Sequence, residues 1–206
     1  MPGDRGIVVG WAAVLLAALG LAGCAPLAPQ AEREAAYEAF LDEHATLGDW
    51  SVAGRAALRA EGEAATFSLR WRQRGEAYTI RLTGPFGAGG VEIRGEPGAV
   101  ALTGGSGRTV TARTPEELLA TATGHRMPVT ALRDWIVGRP AAGLAVEALR
   151  LDGDGRPERL VQAGWEVLFH GWSEVEGVAL PGRIDLRNGS RHLRVALSEW
   201  SLSDGG

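Results

Sequence analysis

Four histidines, a serine among glycines and an Asp-Gly-Asp run are the first residues here whose chemistry could go beyond packing. His44, His125, His170 and His192 fall on different expected elements, and no H-x-x-x-H or C-x-x-C spacing exists. A transition-metal centre therefore has no support. Ser106 sits in "GGSGR", but a nucleophile elbow needs glycine where Arg108 stands, and a helix where a short strand is expected. The stretch reads as a turn. "DGDGR", Asp152 to Arg156, opens like a calcium loop and then offers a guanidinium at the position that requires an oxygen ligand. All 21 positive side chains are Arg, so no G-x-x-x-x-G-K-[ST] phosphate loop is possible. No cofactor, metal or catalytic residue is expected, and the chain must work without hydrolysing a nucleotide. It is not read as an enzyme.

Cys24 is the other candidate. As the sole cysteine it has no internal disulfide partner, and a lone exposed thiol is a liability outside the cell. The run Ile7 to Leu21 is apolar, follows Arg5, and at 15 residues falls short of the ~20 that span a bilayer. It has the form of a secretory signal. "LAGC", Leu21 to Cys24, resembles the bacterial lipobox. That resemblance implies cleavage before Cys24, diacylglycerol on its sulfur and an acyl group on its amine. Three chains anchor firmly, since each buried methylene contributes ~0.8 kcal/mol. Residue 25 is Ala rather than Asp, which in similar Gram-negative lipoproteins implies the outer membrane. The expected organisation is a cleaved signal over 1–23, a lipidated Cys and Pro/Ala-rich tether over 24–30, and one domain over 31–206.

The elements that follow must position whatever this chain binds. "AEREAAYEAFLDEHATLG" spaces Tyr37, Phe40, Leu41, His44 and Leu47 for an amphipathic helix ending at Gly48, with His44 packed rather than liganding. The period then changes to two. Trp50, Val52, Gly54, Ala56 and Leu58 alternate with a more polar set, as do Ala65, Phe67, Leu69 and Trp71, then Tyr78, Ile80 and Leu82. Strands with one wet face are expected there. Shorter ones follow at Val91 to Gly95, Ala99 to Thr103 and Arg108 to Arg113. "TPEELLATATG" carries a capping box at Thr114 and Glu117 with Pro115 at the first helical position. "VTALRDWIVG" is the next helix, burying Leu132, Trp135 and Ile136. The last third returns to strands, with Asp-Gly and Asn188-Gly189 marking hairpins. About eleven strands and three helices make one mainly β (α+β) domain.

The net charge of −4 argues against a nucleic-acid partner, which calls for a basic stripe. What the mature chain has in excess is tryptophan, at positions 50, 71, 135, 165, 172 and 200. A one-sided sheet lined with aromatics and covered by helices can be a filled barrel or a hollow one. Alternation alone does not separate the two.

The ordered set of motifs resembles the LolB family, the outer-membrane receptor of lipoprotein sorting. The shared pieces are the lipobox, "GR" at Gly54 and Arg55, Trp71, "GPFG" at Gly84 to Gly87, and "LRDWIVG" at Leu132 to Gly138. "QAGW" at Gln162 to Trp165, "LPGRI" at Leu180 to Ile184 and Trp200 complete it. The resemblance implies an incomplete antiparallel β-barrel with a lid of helices over an apolar cavity. It further implies a monomer on the inner leaflet of the outer membrane, facing the periplasm. Such a protein takes triacylated lipoprotein cargo from a LolA-type periplasmic carrier and passes it to outer-membrane phospholipid. Expected cavity-lining residues are Trp50, Phe67, Leu69, Trp71, Ile80, Leu132, Trp135 and Phe169.

In that family the loop at Pro85, Phe86 and Gly87 projects an apolar residue, usually Leu, needed for delivery into the membrane. Phe86 keeps the hydrophobicity. Pro85 stiffens one side, and Gly87, Gly89 and Gly90 leave the other bare. Two competing readings remain: a lipid-anchored assembly module with a solid barrel, and a lipoprotein hydrolase, which the missing triad disfavours.

Overall fold

A computed structural model describes residues 29–60, 62–85, 89–123 and 128–202. Helix α1 (Gln30–Ala45) leads into β1 (Asp49–Ala60), β2 (Glu63–Arg74), β3 (Ala77–Thr83), β4 (Gly90–Glu96), β5 (Ala99–Gly104) and β6 (Thr109–Ala112). Helices α2 (Pro115–Thr123) and α3 (Val129–Ile136) follow, then β7 (Val146–Leu151), β8 (Pro157–Gln162) and β9 (Trp165–His170). Strands β10 (Ser173–Val175), β11 (Val178–Leu180), β12 (Arg183–Asn188) and β13 (Arg191–Leu202) complete the chain.

Eleven strands form one antiparallel sheet in the order β6-β5-β4-β3-β2-β1-β13-β12-β9-β8-β7. The first and last long strands meet at its centre, β1 on β13, so the chain closes on itself without closing the sheet. Strands β10 and β11 form a separate hairpin beyond the eleven expected. Three residues are too few to carry a period-two signal, which is why alternation does not reveal them.

The alternation expected of β1 to β3 is realised. Trp50, Val52 and Ala56 are buried on one side of β1, while Leu69, Trp71 and Ile80 are buried across β2 and β3. Arg55, Arg70 and Arg72 stand exposed on the other side. Gly54 is required by close approach: a Cβ there would lie 2.0 Å from the Ala196 carbonyl oxygen on β13.

The sheet curls. β3 and β8 stand six places apart in the strand order, roughly 30 Å in a flat sheet at ~4.8 Å per strand. Yet Ile80 of β3 and Leu160 of β8 belong to one continuous core with Trp135, Ile136 and Val137. Val129, Thr130 and Arg133 of α3 share a groove with Trp71 and Tyr78. Leu132 and Trp135 of the same helix meet Trp165 and Leu186 on the other wall. The sheet therefore wraps around α3.

The helices begin as their caps dictate. Thr114 Oγ1 accepts from the Glu117 amide at 3.2 Å, while the Glu117 carboxylate reaches the Arg113 amide rather than that of Thr114. Helix α3 stops where Gly138 takes φ +93, and its amide bonds the Trp135 carbonyl. Helix α1 begins at Gln30, the last residue of the expected tether, and every residue of the buried core lies from Phe40 onward.

Candidate functional site

The interior is built in rows set by strand register. One row crosses the sheet as Val52, Trp71, Ile80, Ile93, Leu102 and Val110. The next contains Trp50, Gln73, Tyr78, Gly95 and Val100. Trp50 packs on Trp71 at 5.4 Å and on Trp200 at 5.6 Å between ring centroids. On the opposite wall Phe169 meets Trp172 at 5.8 Å, and Trp172 meets Phe40 of α1 edge-on at 5.5 Å. These pairs give an aromatic lining with the offset and edge geometries that rings prefer.

Two glutamines hold this lining in place. Fully buried Gln162 accepts from the Trp135 indole N–H and the Ala141 amide, both at 2.8 Å. Its own amide donates to the carbonyls of Ala141 and Leu144. It thereby fixes α3 and the segment after it to β8. Gln73 accepts from the Trp71 indole at 3.0 Å and donates to the Gly75 carbonyl at 2.7 Å. Both are polar residues at inward-facing positions, continuing Leu69-Trp71 and following Leu160, and that misplacement was their signal in the sequence.

Helix α3 is also tied to α1. Arg139 pairs with buried Asp134 at 2.9 Å and donates to the His44 carbonyl. His44, fully buried, sets its two ring nitrogens 2.8 and 2.9 Å from the carbonyls of Phe40 and Ala179. Burial pushes its imidazole below the ordinary value, the two carbonyl bonds oppose that, and the Arg139 charge adds to the lowering. His44 is thus a packed, hydrogen-bonded residue.

Under α3 the packing is tight: the cleft among Leu132, Trp135, Trp165 and Leu186 holds about 10 Å³. Space opens at the margin. A groove of about 230 Å³ runs between α2–α3 and the β2–β5 wall, lined by Trp71, Tyr78, Val100, Pro115, Val129 and Arg133. The Tyr78 hydroxyl and the Arg133 Nε, both residues of this groove, are buried without a hydrogen-bond partner. Burial, with a smaller contribution from Glu116, raises the Tyr78 phenol to about 12, so it stays a donor. On the inner face of β1, β3 and β4, Leu58, Leu82 and Ile93 are only partly buried against the core. The site offers apolar surface with two buried donors, the Tyr78 hydroxyl and the Arg133 Nε, that make no hydrogen bond, the latter 3.9 Å from the Asp134 carboxylate. That combination suits an aliphatic ligand with a polar head.

Of the eight residues expected to line a cavity, Trp50, Leu69, Trp71, Ile80, Trp135 and Phe169 come together in the core, and Leu132 packs against it half-buried. Phe67, half-exposed, instead lines a groove with Arg55, Arg70 and Pro85. Pro85 is exposed at the end of β3. Cys24, Phe86 and Gly87 lie outside the described residues. Ser106 is exposed in the β5–β6 turn, and in the Asp152 loop the cation is Arg156 itself, 3.4 Å from Asp152. Among the described residues, no three His, Cys, Asp or Glu side chains are grouped to hold a metal, and no helix is long and apolar enough to cross a membrane.

Solved structures share this arrangement at the level of fold. A LolA superfamily protein from Nitrosomonas europaea superposes with a TM-score of 0.54 at 10% identity, covering 82% of this chain and 94% of that one. A DUF1329 family protein from Desulfovibrio piger gives 0.52 at 10% identity, over 85% and 95% of the two chains. The sequence relatives are nearer. An outer-membrane lipoprotein LolB of Halorhodospira halophila is 68% identical across 92% of this chain and 94% of its own length. One of Alkalilimnicola ehrlichii is 46% identical across 91% and 94%. The family model described as outer membrane lipoprotein LolB matches residues 48–200, from the entry of β1 almost to the end of β13. With its curled sheet, its helix-filled interior and that match, this chain belongs to the LolB family.

Proposed function

We propose that this chain is a receptor in the outer membrane for lipoproteins, anchored through lipidated Cys24 and facing the periplasm. It accepts triacylated cargo from a LolA-type carrier and releases it into the inner leaflet. The observation that carries the reading is the open curled sheet, with an aromatic interior that leaves Leu58, Leu82 and Ile93 partly uncovered. Acyl chains in water are unfavourable by ~0.8 kcal/mol per methylene, so a surface that covers them incompletely holds them without outbidding a bilayer. Transfer then runs downhill without a nucleotide. Its reach into the membrane is the loop Pro85, Phe86 and Gly87, with Phe86 as the inserted group.

The test follows labelled lipoprotein from the carrier to the chain beginning at Ala25 and on to liposomes, comparing native protein with Phe86→Glu. The expected result is equal acceptance and at least a tenfold loss of delivery in the variant. Equal delivery overturns the loop assignment; failure of the native protein to accept cargo overturns the receptor reading. The tight packing under α3 supports one rival, a lipid-anchored module with a solid barrel. A fluorescent apolar probe separates them, binding stoichiometrically to a receptor and not to a filled core.

A further inference from the structure

The polar face of the sheet carries charge out of keeping with the whole chain. The net charge is −4, yet β1 and β2 present Arg55, Arg59, Arg70, Arg72 and Arg74 on their outer face, all exposed. Among the described residues, none of the five side chains has an ion-pair or hydrogen-bond partner. Most other arginines of the outer face are paired, Arg187 of β12 excepted. Arg81 and Arg94 share Glu92 at 2.5 and 2.7 Å, Arg150 meets Glu158, Arg159 meets Glu166, and Arg183 and Arg194 share Asp185.

Two of these free guanidinium groups, those of Arg55 and Arg70, line a groove on the same face. It holds about 720 Å³ in the corner where the β1–β2 hairpin runs past the end of β3. Arg55, Arg70 and Arg81 line it with Thr66, Phe67, Ser68 and Thr83, and Gly84 and Pro85 close one side. The paired register makes the neighbourhood: Ser68 lies opposite both Arg55 and Thr83, and Arg70 opposite both Ala53 and Arg81. Forked donors interleaved with hydroxyls are a chemistry for phosphate oxygens.

We infer that this outer face of β1–β3 is a docking surface for the phosphate headgroups of an anionic phospholipid membrane. The inference rests on the receptor reading above, and states which face of the sheet lies on the bilayer. Two observations favour lipid over an acidic protein. The patch is continuous with the Gly84–Pro85 corner, so the guanidinium groups are placed beside the segment read as entering the membrane. Its outer face on β1–β3 is otherwise Arg, Ser, Thr and Ala, with Asp49 taken up by the Gly75 amide and half-exposed Phe67 the one large apolar residue at the groove. A protein interface needs a desolvated centre, whereas a headgroup layer needs only spread positive charge.

The experiment measures flotation of the chain beginning at Ala25 with vesicles of phosphatidylcholine alone, and with vesicles about one third phosphatidylglycerol. The native protein is expected to favour the anionic vesicles and to lose that preference as salt rises. The triple variant Arg55→Gln, Arg70→Gln, Arg72→Gln is expected to bind anionic vesicles on the order of 100-fold more weakly. It should accept cargo from the carrier as the native protein does, which also shows that it is folded. Native-like binding of the triple variant to anionic vesicles overturns the inference. So does undiminished vesicle binding combined with lost cargo acceptance, which would assign the patch to the carrier. If the native protein accepts no cargo, the receptor reading fails, while the vesicle comparison still decides what this face binds.

Discussion

Gln162 shows how much a single inward polar side chain can hold. Its four hydrogen bonds join β8 to the Trp135 indole and to the backbone at Ala141 and Leu144. Gln162→Leu keeps the approximate volume but leaves the indole N–H and the Ala141 amide buried without acceptors. A loss of about 2–4 kcal/mol is expected in denaturant unfolding, since each orphaned group costs about 1–3 kcal/mol. Asp185 is the acidic counterpart on the outer face, its side chain only 3% exposed. Desolvation works to raise its carboxyl, but bonds from Arg194 and His192 and the charges of Arg194 and Arg183 outweigh it and hold the group below 3.8. A carboxyl depressed in the folded state stabilises fully above its unfolded value and stops doing so as pH falls through its folded value. Native protein should therefore lose stability below about pH 4, and Asp185→Asn should flatten that part of the profile at a cost of about 1–3 kcal/mol near neutrality. Urea midpoints measured from pH 2 to 7 on both proteins check this.

Elements were legible in the sequence where one local rule fixes them. Thr114, Pro115 and Glu117 state the start of α2, Gly138 states the end of α3, and alternation from Trp50 to Leu82 states three strands and their inward faces. Long-range pairing was not legible. Nothing local to Trp135 or Gln162 says that 27 positions apart they meet, or that Arg139 reaches back to His44. The curl of the sheet is likewise a product of the core wrapping α3, not of any strand by itself. Phe67 illustrates the limit: its parity matches Leu69 and Trp71, but β2 there runs past the end of β3, so it has Ala56 of β1 on one side and no strand on the other to help bury it. At this scale, Gly54→Val should be among the most damaging changes, because a β-branched side chain would strike the β13 backbone and break the central pair of strands. Loss of folded protein at growth temperature, read by circular dichroism, is expected. Arg139→Met removes the tie between α1 and α3 and should cost less, about 1–3 kcal/mol, while increasing uptake of an apolar probe.

The whole molecule is a sheet whose two ends, β6 and β7, are joined by no ladder of hydrogen bonds among the described residues. Both ends are guarded. β6 is four residues long, with Arg108 before it and Arg113 after it, and β7 pairs with β8 through two irregularities in register. Amide exchange should be slowest along β1, β2 and β13, where 12-residue strands pair on both sides, and fastest in β6 and β7. A closed barrel fixes its girth by strand number and shear. This sheet has no such constraint. Its bore can widen by letting the two ends part, at the expense of side-chain packing and with every existing ladder left intact. On the receptor reading proposed above, one chain is then expected to admit cargoes that differ in acyl length, with capacity a matter of compliance rather than of a cavity cut to size.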